Sequence, residues 1–283
     1  MDTPPLHDLP PLRDVMQRYD LMPKKALGQN FLLDGNITDK IARAAGALHD
    51  MHVIEIGPGP GGLTRALLQA GAKQVVAVEK DSRCMAALAE LGEVANGRLV
   101  VVEADALTVD VSALAPEPRC IVANLPYNVA TPLLVGWLEQ LARNRSAFAS
   151  MTLMFQKEVA DRIVAAPGSK TYGRLSVMAQ WQCHVQHRFD LPPHVFTPPP
   201  KVTSSVLHFV PHAQPIVDVP WRVMEKVVEK AFGQRRKMLR SALKGMTADT
   251  ERWLEQAGIF PTERAEQLSV AQFGALARSL ALV

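Results

Sequence analysis

Val53-Ile54-Glu55-Ile56-Gly57-Pro58-Gly59-Pro60-Gly61-Gly62 runs from a short apolar segment into a turn crowded with glycine and proline. The β-branched start has the length of a buried strand, and a helical pattern, Leu63–Ala70, follows the turn. Strand, glycine turn and helix in that order open a doubly wound sheet. Gly57, Gly59 and Gly62 satisfy G-x-G-x-x-G, which lets backbone approach a ligand closely. Glu79 lies about twenty residues on, at the end of the next expected strand, Gln74–Glu79, where a carboxylate can accept hydrogen bonds from both ribose hydroxyls. An adenosine-bearing cofactor is therefore expected. The turn alone does not separate a dehydrogenase dinucleotide from S-adenosylmethionine.

The alternation continues outward from this unit. Ser82–Leu91 reads as a helix capped by Ser82, Arg98–Val102, Cys120–Ala123 and Met151–Phe155 as strands, and Asp34–Ala45 and Thr131–Leu141 as helices. Continuous apolar strands separated by helices predict a parallel sheet covered on both faces. Val185–Leu191 and Ser204–Val210 are joined only by a proline-rich loop and predict an antiparallel edge. From Trp221 onward every periodic stretch is helical. The fold class expected is α/β, Rossmann-like, with a small all-α C-terminal domain: an arm over 1–23 with one helix near Leu12–Tyr19, a main domain over 24–211, and a helical domain over 212–283.

Composition narrows the function classes. The 283 residues are 48% hydrophobic and 21% charged, globular values, and no apolar run approaches a membrane span. Three widely spaced cysteines with no C-x-x-C argue against disulfides or a cysteine zinc site, and the N-terminus lacks an apolar leader. A soluble cytoplasmic protein is expected, without metal or membrane, and a monomer by default. His184 and His187 fall on opposite faces of an expected strand, so a shared metal is not expected. No Walker lysine follows the glycine turn, and there is no G-x-S-x-G.

Asp105, just past the third strand, sits where open α/β sheets bind ligands and can accept from an adenine amine; Glu103 reads as a solvated strand end. Asn124-Leu125-Pro126-Tyr127 follows the fourth strand on the same edge. A purine exocyclic amine is a poor nucleophile because its lone pair is delocalised into the ring. An Asn124 side-chain oxygen and a main-chain carbonyl, that of Leu125, can accept both of its N–H bonds and aim the lone pair at a methyl group. Pro126 fixes the turn, and Tyr127 offers a ring for base stacking. No general base is required, because the methylated nitrogen sheds its proton readily.

At these residues the chain resembles the small-subunit ribosomal RNA adenine dimethyltransferases, from about Lys24 to the C-terminus. The resemblance implies a class I methyltransferase fold and S-adenosylmethionine as cofactor. It implies conversion of two adjacent adenosines near the 3′ end of 16S RNA, within the 30S particle, to N6,N6-dimethyladenosine, and a link to kasugamycin sensitivity. Within Lys24-Lys25-Ala26-Leu27-Gly28-Gln29-Asn30-Phe31-Leu32 it assigns Asn30 and Leu32 to the cofactor, with Gln29 beside them. It assigns Gly57 to the methionine end, Glu79 to the ribose, Asp105 to the adenine amine, and Asn124 to both cofactor and target. Phe196 is implied to stack opposite Tyr127, and Pro167–Ser176 to form a mobile loop near the target base.

Between Arg222 and Lys244 stand eight bases and two acids, a net of +6, twice the whole-chain excess of +3. Such a run can be a solvated helix face, with Glu225 and Glu229 pairing at helical spacing. Yet Arg235, Arg236 and Lys237 are consecutive and, with Arg240, are expected to bind RNA phosphates. The nearest rival activities are the 23S RNA methyltransferases of macrolide resistance, against which the Arg235–Arg240 block argues, and a ribosome-assembly factor whose catalysis is incidental.

Overall fold

The structure, a computed structural model, describes residues 6 and 8–281; the rest of the N-terminal arm and the last two residues lie outside it. In chain order the regular elements begin with α1 (Leu12–Arg18), β1 (Phe31–Leu32), α2 (Gly35–Ala44), β2 (His52–Ile56), α3 (Gly62–Gln69), β3 (Gln74–Glu79), α4 (Met85–Val94), β4 (Leu99–Glu103), β5 (Arg119–Ala123) and α5 (Tyr127–Arg143). They continue with β6 (Ser150–Gln156), α6 (Lys157–Ile163), α7 (Arg174–Gln182), β7 (Cys183–Leu191), β8 (Phe196–Thr197), β9 (Ser204–Pro211), α8 (Trp221–Gly233), α9 (Leu239–Ala242), α10 (Thr250–Gln256) and α11 (Val270–Ala281).

Seven strands form one sheet in the order β4-β3-β2-β5-β6-β9-β7. The first five run parallel, and β9 lies antiparallel to β6 with Leu153 opposite Leu207. The expected Rossmann-like sheet with an antiparallel edge is therefore present. Burial follows position: every residue of β2 and β5 is buried, whereas β4, at the edge, leaves Val100 40% exposed. Ile41, Leu63, Leu67, Val53, Val75 and Val122 form the core on one face of the sheet, each burial contributing about 1.5–3 kcal/mol.

Two local details differ from the expectation. Ser82 is not a helix cap. The Asp81 carboxylate accepts from the Arg83 amide and caps a 3-10 turn, Ser82–Cys84, that leads into α4. Helix α5 starts at Tyr127, four residues earlier than its periodicity suggests, so the Asn124 tetrapeptide runs directly into it.

Contacts divide the chain into two compact units, residues 1–134, 146–157 and 186–210, and residues 135–145, 158–185 and 211–283. In the first, the arm packs Leu12, Val15 and Leu21 inward, and Arg18 and Tyr19 both reach Glu90. In the second, Trp181 stacks on Trp221 at 5.8 Å and donates its indole N–H to the Val217 carbonyl, while Phe232 contacts both Tyr172 and Phe273. Among the described residues no helix is long and apolar enough to cross a membrane.

Candidate active site

The carboxyl ends of β2, β3, β4 and β5 open onto a cleft of about 210 Å³, and the segment 26–31 forms its other side. Asn30, Gly57, Glu79, Asp105, Asn124, Leu125 and Tyr127, all predicted for the site, line it together. A sheet whose central strands are parallel gathers the loops after its strands on one edge, which is why residues so far apart in sequence converge.

The turn after β2 holds Gly57, Gly59 and Gly61 at φ +68°, +55° and +92°, a backbone conformation that glycine adopts without strain. A side chain at Gly59 would stand 2.7 Å from the Phe31 ring, so the turn is closed against the segment that faces it. Glu79, buried at the end of β3, accepts the Gly59 amide on one oxygen (2.9 Å) and the Asp81 amide on the other (2.7 Å). Burial raises its pKa, and these amides oppose the rise. Each oxygen keeps a further lone pair for a ribose hydroxyl. Asp105 accepts from Lys80 Nζ at 2.7 Å and from the Leu107 amide at 3.0 Å, contacts that hold its carboxyl below the usual range. Lys80 is thus a partner that a base amine at Asp105 must share.

Asn124 is oriented unambiguously by its neighbour. Its Nδ2 donates to the Asn30 carbonyl at 3.1 Å, and a carbonyl accepts only, so Oδ1 is the end left toward the cleft. Asn30 is itself held, its own Nδ2 donating to the Gly28 carbonyl at 3.1 Å. The Leu125 side chain is buried and pins the loop. The Val129 and Ala130 amides both donate to the Pro126 carbonyl, so the first bonds of α5 leave the Leu125 carbonyl outside the helix ladder. The Tyr127 hydroxyl lies 2.6 Å from Ser204 Oγ, and burial pushes its pKa up, so the phenol stays neutral.

Several placements depart from the expectations. Phe196 is 2% exposed, paired opposite Leu32 on the β1–β8 ladder and packed into the core. It presents no free stacking face and does not line the cleft. Leu32 is likewise a core side chain; it lines a separate small cavity beneath the glycine turn together with Glu55 and Asn124. The Pro167–Ser176 segment is tied down rather than loose: the Gly168 amide donates to the Glu266 carbonyl at 2.7 Å and Tyr172 is fully buried.

Asp81 and Ser204 escaped the sequence reading, and Glu55 entered it only as the first residue of the block that resembles the methionine-binding turn. Asp81 is held at about 2, first by Arg83 and also by Gln29, whose Nε2 donates to it at 2.9 Å, linking segment 26–31 to the end of β3. Its position two residues after Glu79 was the available signal. Glu55 lies fully buried below the turn with Oε2 unpartnered. Burial raises it to about 8, the nearby Thr64 hydroxyl offsets this only in part, and the Glu79 charge adds to the rise.

In the second unit the basic run is partly spent. Glu225 and Glu229 do not pair within α8; both bind Arg174, at 2.9 and 3.1 Å. Arg235 donates to Glu266 and to the Lys170 carbonyl, and Arg240 lies 3.7 Å from Glu251. Arg236 and Lys237 are exposed and form no ion pair among the described residues.

The donor set fits S-adenosylmethionine: a paired-oxygen acid at the ribose position, a backbone-lined turn for the amino-acid end, and an amide acceptor next to an aromatic ring where the methyl acceptor must lie. Fold and cleft together define a class I, S-adenosylmethionine-dependent methyltransferase. A family model described as Ribosomal RNA adenine dimethylase matches residues 22–282. The chain belongs to that family.

The chain is 55% identical over 272 residues to Ribosomal RNA small subunit methyltransferase A of Rhodospirillum rubrum (96% of this chain, 93% of the relative). To the protein of the same name in Sinorhizobium medicae it is 58% identical over 275 residues (97% and 99%). Among solved structures it is similar to a dimethyladenosine transferase from Plasmodium falciparum, with TM-score 0.72 and 25% identity, covering 86% of this chain and 94% of that one. It is also similar to the 23S rRNA methyltransferase ErmE, with TM-score 0.64 and 27% identity, covering 89% and 100%.

Proposed function

We propose that this protein transfers methyl groups to N6 of two adjacent adenosines near the 3′ end of 16S RNA, within the 30S particle or its precursor, and so acts in small-subunit biogenesis. The observation that carries the chemistry is the Asn124 amide, locked by the Asn30 carbonyl with its oxygen toward the cleft. The choice of small-subunit over 23S RNA rests on curated relatives at 55–58% identity, against 27% for ErmE.

S-adenosylmethionine, when bound, supplies an electrophilic methyl group on a sulfonium. Glu79 orients the ribose, Asp105 the adenine amine, and Asn30 and the backbone at Gly57 the amino-acid end. Asn124 Oδ1 and the Leu125 carbonyl accept the two N–H bonds of the target amine, which keeps its lone pair out of the ring and pointed along the transfer axis. Tyr127, its hydroxyl anchored on Ser204, supports the flipped base by stacking. The second transfer uses the same acceptors with one N–H fewer.

Functionally we divide the chain into an arm over 1–23, a methyltransferase domain over 24–211 and an RNA-binding helical domain over 212–283. Arg235, Arg236, Lys237 and Arg240 hold phosphates there. About four such contacts give a log–log salt slope of roughly −3 to −4. We place the protein as a monomer in the cytoplasm, a compartment that suits its three free, buried cysteines. The test is transfer of labelled methyl to 30S particles from a strain lacking the gene, with mass mapping. Dimethyladenosine at two neighbouring positions near the 3′ end is expected. Label on 23S RNA would refute the substrate. No label, with particle binding intact, would make the protein an assembly factor.

A further inference from the structure

Phe260 is 75% exposed, the most of any large apolar side chain among the described residues. It follows the buried Ile259 and precedes Pro261, and its turn is held at several points. The Phe260 amide donates to Glu263 Oε2 at 2.8 Å, and the Glu263 amide returns to the Phe260 carbonyl at 3.0 Å. The Leu239 and Arg240 amides donate to the Glu263 and Pro261 carbonyls at 2.7 and 3.1 Å. Those last two bonds lay the backbone of residues 239 and 240 against the turn. An exposed aromatic ring therefore stands on a turn that is bonded to the end of the exposed basic segment Arg236–Arg240.

We propose that Phe260 is a base-stacking contact of the RNA surface, taking the face of an unstacked nucleobase while its cationic neighbours hold the flanking phosphates. The proposal rests on the reading of this chain as a ribosomal RNA methyltransferase and adds a contact that is not electrostatic. Three features select RNA over a protein partner. Arg236 and Lys237, exposed and without an ion pair among the described residues, lie in the segment that leads into the Leu239 and Arg240 amides bound to this turn, and a phosphate backbone is the polyanion that complements them. The acid of the turn, Glu263, is occupied by the Phe260 amide. An exposed aromatic next to basic side chains matches how single-stranded RNA is gripped, by stacking on rings with the backbone held beside them. Because the turn is already fixed, stacking orders one side chain and no backbone.

The experiment compares the full-length protein with Phe260→Ala, Phe260→Trp and Arg236→Ala, measuring binding to 16S RNA and to 30S particles over a range of salt, together with kcat and both KM values. Phe260→Ala should weaken binding to both about five- to a hundredfold. Its salt slope, its kcat, its KM for S-adenosylmethionine and its thermal midpoint should stay unchanged, and Phe260→Trp should restore affinity. Arg236→Ala should lower the slope instead. Unchanged affinity in Phe260→Ala would overturn the proposal. So would a loss confined to 30S particles with 16S RNA bound normally, which would put a ribosomal protein against the ring. If the parent protein itself bound RNA without salt dependence, the RNA reading of the whole surface would fail first, and this contact with it.

Discussion

Replacing Asn124 with alanine removes the one side-chain acceptor aimed at the target amine, and its cost can be worked from the local geometry. The amide is held by a single 3.1 Å bond from Nδ2 to the Asn30 carbonyl. Losing a preorganised hydrogen-bonding group at the reacting centre lowers kcat by about 10²–10³, or roughly 2.7–4 kcal/mol. The Asn30 carbonyl also loses its donor, a local cost of about 1–3 kcal/mol that falls on folding rather than on the rate. Glu79, Asp105 and the glycine turn are untouched, so the KM for S-adenosylmethionine should rise no more than a few-fold. Asn124→Asp separates the two roles of the amide. It keeps an acceptor toward the cleft but sets a carboxylate oxygen against the Asn30 carbonyl, lone pair facing lone pair. The side chain must swing away, and kcat should fall about 10–100-fold, less than for alanine. The assay is single-turnover methyl transfer to 30S particles at saturating cofactor, with cofactor affinity measured separately. If Asn124→Ala keeps kcat within about threefold of the parent, the amine is not held by this amide and the orientation argument fails.

The remaining expectations concern the cofactor turn and the buried acid beneath it. Glu79→Gln places an NH₂ against either the Gly59 or the Asp81 amide, donor facing donor; calorimetry with S-adenosylmethionine should show affinity down about 10–100-fold, with kcat at saturation within a few-fold. Gly59→Ala meets the Phe31 ring at 2.7 Å on a backbone with φ +55°, so a lower thermal midpoint, by the equivalent of about 1–3 kcal/mol, and weaker cofactor binding are expected together. Glu55, raised to about 8 from 4.5 chiefly by burial, keeps its proton in the folded chain when the unfolded chain has released it. Stability should therefore fall as pH rises from about 4.5 to about 8 and level off above, and Glu55→Gln should gain more over the parent at pH 8 than at pH 5 in thermal unfolding. Equal gains at both would mean that Glu55 is not the titrating group.

The sheet was legible because its central strands are mostly apolar on both faces: β2, β3 and β5 are rich in Val, Ile and Ala, Glu55 in β2 being the interruption, and their edges were found to within a residue or two. The cleft residues were legible for a related reason. In a parallel sheet the position after each strand is forced onto one edge, so Glu79, Asp105 and Asn124 could be placed without knowing any side-chain contact. What failed was whatever depended on packing across chain segments. An aromatic in a proline-rich loop looks available for stacking; Phe196 is instead claimed by a two-residue ladder with Phe31–Leu32 that no periodicity announces. Ser82 looks like a cap, and Asp81 takes the role because its carboxylate is already held at the turn by Gln29 and Arg83.

Charge along the chain has the same weakness, and it decides how the basic run should behave. Counting by sequence gives Glu225 and Glu229 to the lysines of their own helix. In the fold both go to Arg174, which stands 51 and 55 residues away. Arg235 and Arg240, in turn, face Glu266 and Glu251. Equal formal charges in the Arg235–Lys237 run are thus unequal in function. Arg235 is half spent as a brace between Glu266 and the Lys170 carbonyl, whereas Arg236 keeps all its donors for solvent or phosphate. Arg236→Ala should reduce the salt slope of RNA binding by about 1 and leave the thermal midpoint alone. Arg235→Ala should lower the midpoint, since it strips a carboxylate and a carbonyl of their shared donor, and should reduce the salt slope by less than Arg236→Ala because part of its guanidinium is already engaged. If the two variants change the slope equally and neither changes the midpoint, the brace is not structural, and both arginines are plain phosphate contacts.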